Sequence, residues 1–229
     1  MKQSLSVVIP AYNEGENIAK TVRETENFLR KIKPLDWEIV VVDDGSSDAT
    51  WTILKKLKKE SPYLKIFRHS RNRGIGEAWK TLYRKAKKDL IFTLPADGQI
   101  KANELKKFLP LINQYEIIVG VRKKRNDPWS RRLFSGIYNF FLRWLFKLKV
   151  KDINSIKLYK KEVLVKCRPW IGSAFGEAEI LIKAQKKGFK VGEVEIDHFP
   201  RQFGRQTGAN FRVAWRALRD LWQFWWLLR

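Results

Sequence analysis

The sequence predicts an α/β fold, a mostly parallel sheet flanked by helices, with amphipathic helices toward the C-terminal end. Three observations predict it. Short apolar runs alternate with segments of helical period through most of the chain, the pattern of repeated strand and helix units. The first run, Leu5-Ser6-Val7-Val8-Ile9, is almost continuously apolar, which suits a strand covered on both faces. Two later runs end in acids, Val40-Val41-Val42-Asp43-Asp44-Gly45-Ser46-Ser47-Asp48 and Leu90-Ile91-Phe92-Thr93-Leu94-Pro95-Ala96-Asp97-Gly98-Gln99. The carboxyl ends of parallel strands border the ligand crevice, so these acids mark a binding site.

In chain order, Leu5 to Ile9 is the first strand, stopped by Pro10, and a helix follows from Gly15 or Glu16 to Arg30. Glu38 to Val42 is the second strand. Ser47 or Asp48 caps the next helix, through Leu57, by reaching the unpaired N–H groups of its first turn. Leu64 to Arg68 is a short third strand, Gly74 and Gly76 open a helix to Ala86, and Asp89 to Leu94 is the fourth strand. Asn103 caps a helix ending near Leu109, and Tyr115 to Val119 is another strand.

After Gly120 the pattern changes. The basic loop Arg122-Lys123-Lys124-Arg125-Asn126-Asp127-Pro128 leads into a helix from Trp129 to Phe146, where Leu133, Ile137, Phe140, Phe141, Trp144 and Leu145 recur at helical spacing. Such a stripe packs on a sheet or meets a membrane, and its two edges can do one each. The segment Ile153 to Tyr159, a helix from Phe175 to Lys187 stopped by Gly188, a strand from Phe189 to Ile196 and a last helix from Asn210 complete the chain.

At 229 residues and 44% hydrophobic the chain can bury a substantial core, and one domain with an appended C-terminal element is the expected organisation. The single cysteine, Cys167, has no disulfide partner, and no signal-like segment opens the chain, so a reducing, cytosolic setting is expected. With 47 Lys and Arg against 24 Asp and Glu, an anionic partner is implied. The charge is uneven: residues 1–120 carry a net +7 and residues 121–229 a net +16. The first half looks built for a small ligand and the second for a large anion or a surface.

No stretch approaches the roughly eighteen consecutive apolar residues of a membrane span. In a regular final helix, however, Trp222, Trp225, Trp226 and Arg229 share one face. Indoles favour the headgroup interface, so a protein lying peripherally on an anionic membrane, at its cytoplasmic face, fits both the charge and the rings. The alternative is that this face packs on the rest of the molecule or on a second subunit. Basic residues interleaved with tryptophan could also bind single-stranded nucleic acid. The ordered acidic motifs have no role in such a binder, and no nucleic-acid module motif is present, so no nucleic-acid partner is expected.

Carboxylates do not grip diphosphate directly; acids in a phosphate site hold Mg²⁺ or Mn²⁺, which neutralises the phosphate oxygens. Asp97 is the leading metal ligand, and Gln99 adds a neutral oxygen or orients metal-bound water. Asp43 and Asp44 are placed to accept hydrogen bonds from a base and ribose. A helix-capping turn would explain Asp44 to Asp48 but not Asp43.

These residues carry a resemblance. Val8-Ile9-Pro10-Ala11-Tyr12-Asn13-Glu14, Val42 to Asp48, Asn72-Arg73-Gly74-Ile75-Gly76-Glu77-Ala78 and Ala96-Asp97-Gly98-Gln99 resemble, in order, the successive motifs of the inverting family 2 glycosyltransferases of the GT-A (Rossmann-like) fold. Within them the chain is most similar to the dolichol-phosphate mannose synthase-like branch. The similarity continues in Gly120-Val121-Arg122, Arg131-Arg132-Leu133-Phe134-Ser135, Asp152 to Leu158, Glu177-Ala178-Glu179 and Arg201-Gln202-Phe203-Gly204-Arg205, covering roughly residues 5–209. It implies a catalytic domain over 1–209, with a nucleotide-sugar half at 1–120 and an acceptor half at 121–209, and an interfacial or packing helix at 210–229.

The resemblance implies that Pro10, Tyr12, Glu14 and Asp43 border the nucleotide and that Asp97 with Gln99 holds the metal. It further implies that Arg122 and Arg132 bind the acceptor phosphate, while a lid around Arg201 to Thr207, Arg205 included, closes over the donor. One departure stands out: the family presents Asp-Ala-Asp at its metal motif, and here the first Asp is Pro95, which removes a ligand. Weaker metal binding is the expectation, and a degenerate, non-catalytic fold is the alternative.

Inverting transfer to a sugar hydroxyl needs a general base, whereas a polyprenyl phosphate is already anionic near neutrality and needs arginines to position it. The arginine-rich second half favours the phosphate. With a hydroxyl acceptor, Asp152 or Glu177 would be the base. Glu177 and Glu179, two residues apart, point in different directions on a helix, so at most one faces the site, and the resemblance implies a structural or orienting duty such as pairing with an acceptor-loop arginine. His69 and His198 are too isolated for a zinc site; His198 reads as a satisfied surface histidine, the alternative being a hydrogen bond to a phosphate near the lid.

Overall fold

The structure is a computed structural model that describes residues 3–123, 129–173, 175–201, 203, 219–221, 224 and 226, with backbone alone over 129–135. Seven strands form one sheet in the order β3-β2-β1-β4-β6-β5-β7: β1 Leu5–Ala11, β2 Trp37–Asp43, β3 Leu64–Arg68, β4 Leu90–Thr93, β5 Ile117–Arg122, β6 Lys157–Lys160 and β7 Val191–Ile196. All neighbours run parallel except β6, which is antiparallel to both β4 and β5. The mostly parallel α/β sheet expected from the sequence is thus present, and strands from both halves of the chain join in it.

Side chains alternate between two apolar layers. Val7, Ile9, Ile39, Val41 and Phe92 face one layer, under α1 (Ile18–Ile32), α2 (Thr50–Glu60) and α4 (Leu105–Phe108). Val8, Val40, Val42 and Ile91 face the other, which takes in residues of α3 (Ile75–Lys85), α5 (Trp129–Phe146), α6 (Lys161–Lys166) and α7 (Gly176–Lys186). Covering on both faces is why these strands read as unbroken apolar runs.

Boundaries differ from expectation where local hydrogen bonds intervene. The first helix begins at Ile18, because the Asn17 and Ile18 N–H groups close a turn onto the Glu14 carbonyl. Asp48 does take the Thr50 N–H, at 2.9 Å, although the capping position itself is Ala49. Asn103 is not a cap; it lies inside a 3₁₀ turn, Ala102–Glu104, that leads into α4. β5 runs to Arg122 because its full length pairs with β7, Ile117 opposite Val191 through Arg122 opposite Ile196.

Both edges of the stripe on α5 are used. Leu142 is fully buried, with Tyr138, Leu145 and Phe146 packed beside it. Ile137, Phe140, Phe141 and Trp144 point outward, Trp144 with 69% of its surface exposed. Among the described C-terminal residues, Leu221 and Phe224 are buried and Trp226 is exposed, while Trp222, Trp225 and Arg229 lie outside them.

Candidate active site

Because β1, β2 and β4 are parallel, their C-terminal ends, and the loops that follow, collect at one edge of the sheet. Ala11 pairs with Asp43, which aligns the first two loops. They are stitched together: Asn13 N–H donates to Ser46 Oγ and Glu14 N–H to Thr50 Oγ1, each at 2.9 Å, and Asp48 accepts the Gly15 N–H at 2.9 Å. Asn13 adopts a left-handed backbone, φ 54°, which frees its side-chain oxygen for the Ser47 N–H. Pro10 is buried within β1 opposite Val42, and Tyr12 is half-buried at the start of the loop.

Asp43 and Asp44, adjacent in sequence, have different duties. Asp43 has no exposed surface; its Oδ1 accepts the Ser46 N–H, and Arg68 Nε lies 3.0 Å from Oδ2. That contact pairs the charges but is off the line of a hydrogen bond, so Oδ2 has no hydrogen-bond donor among the described residues. Asp44 instead turns inward. Its oxygens accept the N–H groups of Arg73 (3.0 Å) and Gly74 (2.8 Å) and contact His69 Nδ1 at 2.6 Å, while His69 Nε2 meets Thr81 Oγ1. Its carboxylate therefore anchors the 69–74 loop rather than facing a ligand, unlike the ribose contact expected for it. Gly45, φ 71°, makes the turn that follows them possible: a Cβ there would lie 2.4 Å from the Arg71 backbone carbon.

Asp97 and Gln99 follow β4. The Gln99 N–H donates to Asp97 Oδ1 at 3.1 Å, and Gln99, itself buried, gives its side-chain N–H to the Phe199 carbonyl. The Phe199 N–H returns a bond to the Gln99 carbonyl, so the segment after β7 is tied across this loop. Arg201 continues that strap. One guanidinium nitrogen bonds Glu14 Oε1 at 2.6 Å, another lies 3.8 Å from Asp97 Oδ2, and Nε donates to the Phe203 carbonyl. Asn17 bonds both Glu14 and the Phe203 carbonyl. Burial raises the pKa of Glu14, opposed by Asn17 and Arg201 and reinforced by the nearby charge of Asp97.

Next to β4, β6 brings Asp152–Ser155 to the same sheet edge: Lys157 N–H donates to Thr93 Oγ1, and Gly120 N–H to the Ile156 carbonyl. Arg122, at the end of β5, holds Asp152 in a two-pronged ion pair of 2.7 and 2.8 Å. Glu177 pairs with no acceptor-loop arginine among the described residues. It receives Lys157 Nζ at 2.8 Å, Tyr83 Oη at 2.5 Å and Tyr159 Oη at 3.2 Å. Burial, and then the Glu177 charge, push both tyrosines well above the usual phenol pKa. Glu179 accepts the Trp170 and Ile171 N–H groups. His198 is buried, not a surface residue. The side chain of Arg132, and Arg205 altogether, lie outside the described residues.

The structure thus gathers Glu14, Asp43, Asp97, Gln99, Arg122 and Arg201 at one edge. Sequence reasoning missed Arg68, Asn17 and Lys157, each a contact of an expected residue. Lys157 opens the short strand Lys-Leu-Tyr-Lys, which carries a second lysine, so no local pattern marks it.

A family model described as glycosyl transferase family 2 matches residues 6–168. Glycosyltransferase AglD of Haloferax volcanii is 27% identical over 86% of this chain and 33% of its own length. The undecaprenyl-phosphate 4-deoxy-4-formamido-L-arabinose transferase of Pectobacterium atrosepticum is 30% identical over 88% of this chain and 62% of its own. The polyprenol monophosphomannose synthase of Mycolicibacterium smegmatis is 27% identical over 93% of this chain and 84% of its own. The chain therefore spans one third to about two thirds of the first relatives it matches. Among solved structures, glucosyl-3-phosphoglycerate synthase of Mycobacterium tuberculosis with Mn²⁺ and UDP superposes with a TM-score of 0.76, covering 96% of this chain and 79% of that one. At 15% identity that is a likeness of fold. With the motifs in register along one sheet edge and the family model matching well over half of the residues, the chain belongs to glycosyl transferase family 2.

Proposed function

We propose that the protein moves one sugar from a nucleotide diphosphate sugar, such as GDP-mannose or a UDP-sugar, to a polyprenyl phosphate, with inversion at the anomeric carbon. The observation that carries the choice of acceptor is the state of the two carboxylates a hydroxyl acceptor would need as base. Asp152 is clamped by Arg122, and Glu177 by Lys157 and two tyrosines. Both carboxylates are committed to partners within the fold, so neither is poised to take a proton from an incoming hydroxyl. A phosphate oxygen needs none: it attacks the anomeric carbon, the bond from that carbon to the diphosphate breaks, and the nucleoside diphosphate leaves with the electron pair. The relatives named for undecaprenyl phosphate and polyprenol monophosphate transfer support the same choice.

On the donor side, buried Asp43 orders the loop that borders the nucleoside, through Ser46 and Arg68, and Glu14 with Arg201 borders the diphosphate. Asp97 and the side-chain oxygen of Gln99 are hard oxygen donors of the kind Mg²⁺ or Mn²⁺ accepts alongside substrate phosphates and water. Substrate diphosphate and water would complete the shell of such a metal. The metal would neutralise charge on the departing diphosphate. Arg122, with Arg132, positions the acceptor phosphate. The protein works as a peripheral protein on the cytoplasmic face of an anionic membrane; no helix among the described residues is long and apolar enough to cross one.

Incubation with GDP- and UDP-sugars and undecaprenyl phosphate should yield a lipid-linked sugar of inverted configuration. Chelation should stop turnover, and Asp97→Asn should slow it by roughly 100-fold, the loss typical of removing one charge-stabilising group. Turnover indifferent to chelation would refute the metal assignment, and transfer only to free sugars or proteins the acceptor assignment.

A further inference from the structure

A second concave site lies along α3, between that helix and α6, with a cavity of about 500 Å³. Its walls carry Arg73, Lys80, Arg84, Lys87, Lys161 and Arg168, against the single carboxylate of Glu77. Glu77 is already shared by Arg73 at 3.2 Å and Lys80 at 2.8 Å. Lys161 Nζ bonds the Lys87 carbonyl at 2.8 Å, and the side chains of Arg84, Lys87 and Arg168 have no hydrogen-bond or ion-pair partner among the described residues. The floor is buried and apolar, made by Ile91, Leu164 and Pro169.

Six cations against one acid around an apolar floor leave a net positive wall, and such a cleft focuses a positive field into its own volume. A solvated basic surface would spread those charges over convex ground. Three of the six are arginines, whose planar forks match phosphate oxygens in pairs. Val165 at the wall and Trp170 beside it are 68% and 67% exposed, an apolar lip where a non-polar body could rest next to the charge.

We propose that this groove binds a phosphate-bearing anion of two or more charges, at a site separate from the donor cleft. The groove starts at Arg73, whose N–H meets Asp44, and runs along the eleven residues of α3, about 16 Å, so that Arg84, Lys87, Lys161 and Arg168 lie at the end away from the donor loops. The inference does not rest on the transfer reaction.

The same chemistry is offered by a soluble polyphosphate and by a lipid headgroup, and two arms separate them. Calorimetry of the full chain with inorganic triphosphate, with chelator present to silence metal at the donor cleft, tests the soluble source. Co-sedimentation with phosphatidylcholine vesicles, with and without phosphatidic acid, tests the lipid. Replacing Arg84, Lys87 and Arg168 by serine together touches only side chains without partners, and Lys87→Ser alone serves as a milder variant. We expect the triple variant to weaken the responding arm at least about tenfold, with Asp97→Asn leaving it unchanged and the variant's basal transfer and melting curve intact. Triphosphate binding assigns a soluble ligand, and a response to phosphatidic acid alone assigns a headgroup. Absence of binding in both arms, or equal binding by the triple variant, would overturn the proposal.

Discussion

Glu14 is a carboxylate held close to a second one, Asp97, and Arg201 sits between them. Burial raises its pKa, so the folded chain takes up a proton there at a pH where the unfolded chain has released it. The sign follows: the associated stability is fully present below the ordinary glutamate pKa and is lost as pH rises through the raised folded value. Glu14→Gln removes the titrating proton. Denaturation curves over a pH series should show wild type losing stability relative to Glu14→Gln across that window and running parallel outside it. Parallel profiles throughout would contradict the assignment. At this scale the sequence was partly readable. Asp43 and Asp97 stood out because acids end apolar runs, whereas Asp44 differs from its neighbour only in the turn that aims it at His69, which no local pattern reveals. Arg122 and Asp152 pair across 30 positions, so each looked unattached.

The helix α5 is where the stripe of helical period divides into an inner and an outer edge. Ile137, Phe140, Phe141 and Trp144 are too apolar to be left in water without consequence, and among the described C-terminal residues Trp226 is exposed as well. Changing Phe140 and Trp144 to serine should reduce co-sedimentation with anionic vesicles by about tenfold while leaving the fold intact, because neither side chain is in the core. Deleting residues 222–229 in parallel tests how far the terminal tryptophans share that role. Undiminished binding after both changes would remove the helices from membrane attachment. Helix and strand types were legible because burial on both sheet faces imposes apolar runs and stripes. Their ends were less so: tertiary hydrogen bonds, such as those pinning residues 13–15 to the second loop, decide where a helix can begin. The six-residue α6 is too short to show a period and went unread.

At the scale of the molecule, Lys157, whose side chain has no exposed surface, ties β6 to α7 through Glu177, which in turn accepts Tyr83 Oη from α3. Lys157→Met would leave a carboxylate facing two phenols, at a cost of about 3–5 kcal/mol by the usual penalty for half of a buried pair. Adding Glu177→Gln should recover part of it. Chemical denaturation measures both, and a loss below about 1 kcal/mol for the single change would show that the pair is not a structural tie. The same strand has a consequence for how the chain is made. β6 is late in sequence yet central in the sheet, so β4 and β5 emerge from the ribosome well before the strand that joins them. Until Lys157–Lys160 arrives, each offers an open row of N–H and C=O groups, the template on which separate chains pair with one another. Interrupted synthesis in that interval should therefore yield insoluble fragments, whereas release after β7 should not.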